Sequence, residues 1–471
     1  MPTRPTISWS DLGGAAVGLW GLGVEGSANL RRLLAAGTTP VLVDDRPAVA
    51  EIDGLAVLAT AEGGLAALQH CDVVVKTPGI SRARPEVAAL EAAGVVVAGG
   101  LGLWLQEADR AKVALVTGTK GKSTTAAVAG HLASALGYRT MVAGNIGRPP
   151  WDPDAGGDFD FWVVETSSFQ ATDLATAPPV VAVTSLSPDH LDWHGGTEVY
   201  YRDKLSLCTL PGARLTVADG DSELLRTHRA LLGPEIRWVG ADDPVLGGQW
   251  VDELGLLGRH NQRNARIARA VLEALGVAEA ADPGAMAAAA KGFVGLESRL
   301  RPIGTVGGVT FVDDSLSTNV LSTLAALATF AGRRVALLVG GHDRGIDYSA
   351  LAETLRRRSD PTLVLTLPDN GPRIGAVIRD RGAGATGRGA EPGAGMGPEV
   401  VDGTDVATAT RAGWEWARPD GVVLLSPAAP SFGRFADYAE RSAAFAEGMG
   451  RCAETAGGGE VGATPHGGGD G

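Results

Sequence analysis

The chain has 471 residues, room for roughly two to four domains, and a composition of 45% hydrophobic and 20% charged residues that excludes a disordered or fibrous protein. A net charge of −13 with no offsetting basic stripe argues against nucleic acid as a partner, and no apolar run reaches the roughly 18 residues of a membrane span. The opening MPTRPTISWSDLGG lacks the apolar stretch of a signal peptide, and Cys71, Cys208 and Cys452 show neither disulfide nor metal spacing. A cytoplasmic protein with reduced thiols is expected.

Residues 15–20 (AAVGLW) predict a first strand and 25–36 a helix, joined by Gly21, Gly23 and Gly26. That G-x-G-x-x-G spacing between strand and helix lets a backbone approach a diphosphate. The next strand, PVLVDD, ends in Asp44-Asp45, where a ribose-binding acid stands in dinucleotide folds. A tight turn needs the same small residues without any ligand, so the fingerprint alone names no nucleotide. Strand 72–76 (DVVVK), a Pro-Gly turn, helix 84–93 and strand VVVA complete a Rossmann-like domain over residues 1–107.

Residues 112–125 read KVALVT-GTKGKST-T: a buried strand, a glycine-bracketed loop, then a helix (TTAAVAGHLASAL). Gly118, Thr119, Lys120 and Gly121 form a loop whose N–H groups can turn inward on a phosphate, and the helix adds its positive dipole end. Lys122 supplies a point charge, the Ser123 hydroxyl can sit on Mg²⁺, and Thr124 continues the motif. The pattern predicts an ATP site in a central domain, residues 108–296.

Asn145 follows the strand that begins at Met141, and FWVVE delivers Glu165 to a strand's C-terminal end, where ligands gather in open α/β sheets. Glu165 is a natural partner for an ion held by Ser123. Strand PVVAV leads into Pro188-Asp-His190-Leu-Asp-Trp-His194, and a helix over 197–209 carries Lys204. His190 alone reads as a core or surface histidine, a metal ligand or a base. Of the 41 Lys and Arg residues only six are lysine (76, 112, 120, 122, 204 and 291), so a lysine hints that a primary amine is wanted.

The strings GTKGKST, GNIG, ETSSFQ, SPDHLDWH with the helix lysine, GRHNQRNA, DDSLSTN and LLSPAAPSFGRF, in that order to about residue 448, resemble the Mur ligase family. Within it they look like members that add glutamate to UDP-N-acetylmuramoyl-L-alanine in cytoplasmic peptidoglycan precursor synthesis. The resemblance implies a carbamate on Lys204, which with His190 and Glu165 holds a second Mg²⁺; arginine could not undergo that chemistry. It also implies that Asn264 meets the adenine, that Asn145 lies near the reacting carboxylate, and that Ser167 and Gln170 face the muramoyl peptide. In the first domain it implies a UDP diphosphate on the glycine turn, with Asp44, Asp45 and Arg46 near the uracil.

From Leu296 the pattern restarts as a third, doubly wound α/β domain (297–450). Its predicted elements are strand GVTFVDD, helix 319–330, strand RRVALLVGG, helix 347–356, strand TLVLT, helix 371–380, strand GVVLLSP and helix 432–448. By resemblance Arg299 and Asp314 reach ATP on domain closure, while Thr318, Arg344, Ser431, Phe432 and Tyr438 form the glutamate pocket. A guanidinium at 344, where the D-glutamate enzymes have lysine, still suits a carboxylate. Residues 381–402, rich in Gly and Ala, read as an insertion, and 451–471 as a disordered tail.

There are departures from the D-glutamate pattern: Leu316-Ser317 replaces Lys-Ala in the third domain, Lys120 stands for asparagine in the phosphate loop, and Ser298 stands where a histidine precedes the arginine. Changes around the amino-acid pocket are where a switch of substrate hand should appear. The strings GTKGKSTT, LDWHG, FAGRRVALLVGGHDRG, NGPRI and SPAAPSFG resemble a branch that adds L-glutamate and leaves inversion to a separate epimerase. L-glutamate is therefore expected, with D-glutamate the alternative, through an acyl phosphate formed by a monomeric enzyme. Two remoter readings are a folylpolyglutamate synthase-type ligase, which lacks such a first domain, and a non-catalytic nucleotide-binding protein. Lys122, Glu165, His190 and Lys204 all being in place speaks against the latter.

Overall fold

The computed structural model describes residues 4–383 and 398–457. They fall into two compact units, the first taking the described residues up to Gly255 with His260–Phe293 and the second Leu256–Arg259 with the described residues from Val294 onward. Among the described residues eighteen strands make three six-stranded sheets, and no helix is long and apolar enough to cross a membrane.

The first unit holds two sheets. Strands β1 (Val17–Trp20), β2 (Val41–Asp44), β3 (Glu51–Ile52), β4 (Leu55–Ala59), β5 (Val73–Lys76) and β6 (Val96–Gly99) lie in the order β3-β4-β2-β1-β5-β6. All pair in parallel except the short β3, which is antiparallel to β4. The second sheet comprises β7 (Val113–Thr117), β8 (Thr140–Gly144), β9 (Phe161–Glu165), β10 (Val180–Val183), β11 (Leu215–Asp219) and β12 (Glu235–Val239). Its order, β12-β11-β10-β7-β9-β8, is parallel throughout. Every residue of β7 is buried, as expected of a strand covered on both faces. β7 lies between β9 and β10, and the carboxyl ends of such strands are where ligands gather in open α/β sheets.

The second unit carries β13 (Arg301–Val306), β14 (Val309–Asp313), β15 (Val335–Val339), β16 (Thr362–Thr366), β17 (Glu399–Asp402) and β18 (Val422–Leu425). The order is β13-β14-β18-β15-β16-β17, parallel except for the β13–β14 hairpin.

The final helix differs from expectation. It runs Tyr438–Thr455, not 432–448, because Asp437 caps it by accepting from the Ala439 and Glu440 N–H groups. Its buried face continues through Phe445, Gly448 and Cys452, so residues 451–455 are packed helix and not tail. Likewise 399–402, read as part of an insertion, form β17 on the edge of the sheet. The remainder of those two stretches, 384–397 and 458–471, lies outside the described residues. Helix Val406–Ala417, unmarked in the sequence reading, packs Trp414 against the sheet and starts at an Asp405 cap.

Candidate active site

The site is organised by the turn between β7 and the helix Lys122–Ala135. Gly118 has φ +136° and Gly121 φ +92°, conformations in which a side chain is strained. A Cβ on Gly118 would strike the Thr184 hydroxyl, and one on Gly121 would sit 2.6 Å from Asn264 Oδ1. The loop is clamped from β10's end: the Lys120 N–H donates to Ser185 Oγ (2.8 Å), and the Lys120 carbonyl accepts from Thr184 Oγ1 (2.6 Å) and Ser185 Oγ (2.9 Å). Thr119 Oγ1 meets the Tyr200 hydroxyl at 2.9 Å and donates to the Ser187 carbonyl at 3.0 Å. These partners, invisible to motif reading, hold a rigid concave turn at a helix N-terminus, the geometry of an anion cradle.

Two lysines converge on it. Lys122 Nζ donates to the Gly118 and Thr119 carbonyls at 3.1 and 3.2 Å, and Lys204 Nζ donates to the same Gly118 carbonyl at 2.9 Å. Lys204 is buried; burial, then the positive charges of Lys122 and Lys120, push its amine well below the ordinary lysine value, with Asp189 and Glu165 opposing. An amine so placed gives up its proton more readily than an ordinary lysine.

Glu165 ends β9 beside Val116 of β7 and is also buried. Its Oε1 accepts from Asn145 Nδ2 at 2.9 Å, whereas its Oε2 has no hydrogen-bond partner among the described residues. A buried carboxylate oxygen left so is costly unless a cation or donor meets it. His190 has φ +51°, a left-handed conformation that costs a non-glycine residue on the order of 1–2 kcal/mol, and its half-exposed ring packs edge-on to Phe169 at 5.0 Å. Burial lowers its pKa, Lys120, Lys204 and Lys122 add to this, and Asp189 opposes; the result favours the neutral imidazole that ligates metals. Asp189 is in turn 3.6 Å from Lys120. Ser123 and Thr124 are buried in the first helical turn, and Asn264, against Gly121, donates to Asn261 Oδ1 at 3.2 Å. Among the described residues no group of three or more His, Cys, Asp and Glu forms a metal cage. A cation here would need ligands of other kinds as well, such as the Ser123 hydroxyl or phosphate oxygens.

In the first sheet, Gly21 has φ +92°, and a Cβ at Gly26 would collide with the Gly21 carbonyl, while Gly23 faces open space. Asp44 is committed to the turn itself, accepting from the Leu22 and Arg46 N–H groups at 2.9 Å each. Asp45 accepts from Thr60 and is held by Arg84, whose guanidinium lies over the Trp20 ring; Arg46 is exposed. Ser167 and Gln170 form a reciprocal capping box, and Gln170 Nε2 donates to Glu25 at 3.0 Å, so both side chains are occupied within the protein.

Within the second unit, the Asp314 carboxylate accepts from the Leu300 N–H, Ser317 and Ser426, yet burial raises its pKa to about 7. Arg299 is half-buried between Ser298 and Leu300, both with positive φ. Arg344 lies 5.9 Å over the Phe432 ring; Ser431 is buried, Thr318 half-buried and Tyr438 exposed. The organiser here escaped sequence reading: buried Arg441 donates to Ser315 Oγ, Ser315 O and the Ala429 and Gly340 carbonyls. One guanidinium thus ties three loops, those around 315, 340 and 429. Its only signal was an arginine on the apolar face of the last helix.

Known sequence patterns match the chain in three stretches. "Mur ligase MurD-like, N-terminal domain" matches residues 16–99, "Mur ligase middle domain" 116–245, and "Mur ligase, glutamate ligase domain" 298–429. The chain belongs to the Mur ligase family. A UDP-N-acetylmuramoyl-L-alanine--L-glutamate ligase of a Micromonospora strain is 41% identical, over 93% of this chain and 97% of the relative. One of the same name from Xanthomonas euvesicatoria is 38% identical over 93% and 96%. Among solved structures, UDP-N-acetylmuramate-alanine ligase from Thermotoga maritima superposes with a TM-score of 0.53 at 17% identity, covering 93% and 99% of the two chains. This last likeness places the fold of a Mur ligase on the chain and leaves its substrate to the site.

Proposed function

We propose that this Mur ligase uses ATP to join the amine of L-glutamate to the alanine carboxylate of UDP-N-acetylmuramoyl-L-alanine. The observation that carries the chemistry is the placing, by the loop that follows β7, of a buried Lys204 amine whose proton burial weakens, with Glu165 ending the neighbouring strand and its Oε2 without a hydrogen-bond partner among the described residues. The L isomer is supported by the names of relatives that match over nearly their whole lengths.

In this reading a substrate carboxylate oxygen attacks the γ-phosphorus, ADP leaves, and the glutamate amine then displaces phosphate from the acyl phosphate. Two anions must meet, and the loop N–H groups with Lys122 offset their repulsion. Ser123, Glu165, His190 and a carbamate on Lys204 would hold two Mg²⁺, which when bound supply Lewis-acid charge neutralisation. Asn264, Arg299 and Asp314 serve ATP, with Gly118, Thr119, Lys120, Gly121 and Thr124. The turn Gly21-Gly23-Gly26 receives the diphosphate and Asp45 with Arg46 the uracil, while Asp44 acts by shaping that turn. Asn145, Ser167 and Gln170 border the muramoyl peptide, the last two by fixing the segment that follows Glu165. Arg344, Thr318, Ser431, Phe432 and Tyr438 receive glutamate, and the chain works as a cytoplasmic monomer upstream of an epimerase.

The test is phosphate release from ATP and UDP-N-acetylmuramoyl-L-alanine with each glutamate enantiomer. Turnover with the L isomer alone is expected. Preference for the D isomer would overturn the stereochemical part, and no release with either would overturn the reading.

A further inference from the structure

His194 sits outside every role assigned above, yet its side chain is wholly buried and both ring nitrogens are engaged. Nδ1 is 2.7 Å from Asp203 Oδ2, and Nε2 is 3.0 Å from Ser168 Oγ. The Asp203 carboxylate only accepts, which puts the proton on Nδ1 and leaves Nε2 for the serine hydroxyl. Phe169, Trp193 and Tyr200 pack round the ring at 5.6, 4.5 and 5.1 Å. Ser, His and Asp here stand in the order of a hydrolytic triad, but Ser168 is buried, and a carbonyl substrate has no access to it.

What the imidazole joins is more informative. Ser168 lies three residues after Glu165, Asp203 directly precedes Lys204, and His194 follows His190 by one helical turn. One ring therefore ties together the three backbone segments that present Glu165, Lys204 and His190. Hydrogen bonds to an ionised carboxylate are roughly twice as strong as neutral ones, and groups that orient metal ligands this way typically change metal affinity 10–100-fold when lost.

We infer that His194 is a positioning residue that sets the spacing of Glu165, His190 and Lys204 for cation binding and for the Lys204 carbamate. This rests on the carbamate reading proposed above. Two readouts independent of turnover test it on the full-length protein: the carbamate ¹³C resonance after incubation with ¹³C-bicarbonate, and the Mg²⁺ concentration needed for ADP binding. His194→Phe keeps the ring packing and loses both hydrogen bonds; it should lose most of the carbamate signal and need at least about tenfold more Mg²⁺. Asp203→Asn keeps an acceptor for Nδ1–H and should retain the signal within about twofold. Should His194→Phe fail to fold, Ser168→Ala, which removes the Nε2 partner alone, should still raise the Mg²⁺ requirement about threefold or more. A folded His194→Phe, or Ser168→Ala in its place, with wild-type signal and Mg²⁺ requirement would reduce His194 to packing and overturn the inference. Absence of a carbamate signal in the wild-type protein would instead overturn the reading on which it rests.

Discussion

Replacing Asp173 by asparagine tests how the two sheets of the first unit are held together. Asp173 follows the capping-box helix Ser168–Ala171, and its carboxylate receives Lys76 Nζ and Arg82 Nε, each at 2.6 Å. The Lys76 side chain is 0% exposed and that of Asp173 3%, so little water screens the pair. Arg4 donates to the Thr172 carbonyl, and a Cβ on Gly99 would press on Asp173 at 2.9 Å. Removing one partner of a buried pair costs about 3–5 kcal/mol, because a charge stays buried without compensation. An independent bound agrees: shedding the Lys76 proton at pH 7, from an ordinary value of 10.5, costs about 5 kcal/mol at 1.36 kcal/mol per unit. At pH 9 the same escape costs only about 2 kcal/mol.

Burial already lowers the Lys76 pKa, with Asp173 opposing; without that carboxylate the folded state binds the proton still less well than the unfolded chain. Unfolding then takes up protons, so the variant's stability must rise with pH below the ordinary lysine value. Urea unfolding of wild type and Asp173→Asn, followed by tryptophan fluorescence at pH 7 and 9, should show a deficit of about 3–5 kcal/mol that shrinks by roughly half. A deficit under about 1 kcal/mol, or one independent of pH, would refute the account of the seam.

The remaining expectations concern the site. Lys122→Ala should lower ATP-dependent product formation by about a thousandfold, some 4 kcal/mol of transition-state stabilisation, with UDP-substrate binding unchanged; steady-state rates and calorimetry measure both. Lys204→Ala should be nearly inactive and partly restored by acetate supplied as a replacement carboxylate, and full activity without rescue would remove the carbamate. In the second unit, the Asp314 pKa is raised to about 7, so this group's stabilising contribution is complete below about pH 4 and fades as pH rises through 7. Asp314→Asn should remove that part of the pH dependence, readable as the difference between the two proteins' unfolding midpoints at pH 5 and 8.

The loop Gly118–Ser123, Glu165 at the end of β9, and β14, β15, β16 and β18 were legible in the sequence because each is encoded locally. An apolar β-branched run makes a buried strand wherever it occurs, and glycines with Lys-Ser between strand and helix make an anion cradle. The edge strands β3 and β17 and the true span of the last helix were not legible. Two- and four-residue strands exist only because a neighbour offers free hydrogen bonds, and the helix is placed by its Asp437 cap and a buried face.

Composition and motif thus determined by themselves the three α/β domains and the glycine-bracketed loop after β7. Tertiary structure alone decided that Lys76 finds Asp173 across 97 residues, that Arg441 gathers three loops, and that His194 joins Ser168 to Asp203. The physical reason is that a buried polar group must be satisfied by whatever the fold brings within about 3 Å of it. Residue spacing along the chain carries no record of that choice.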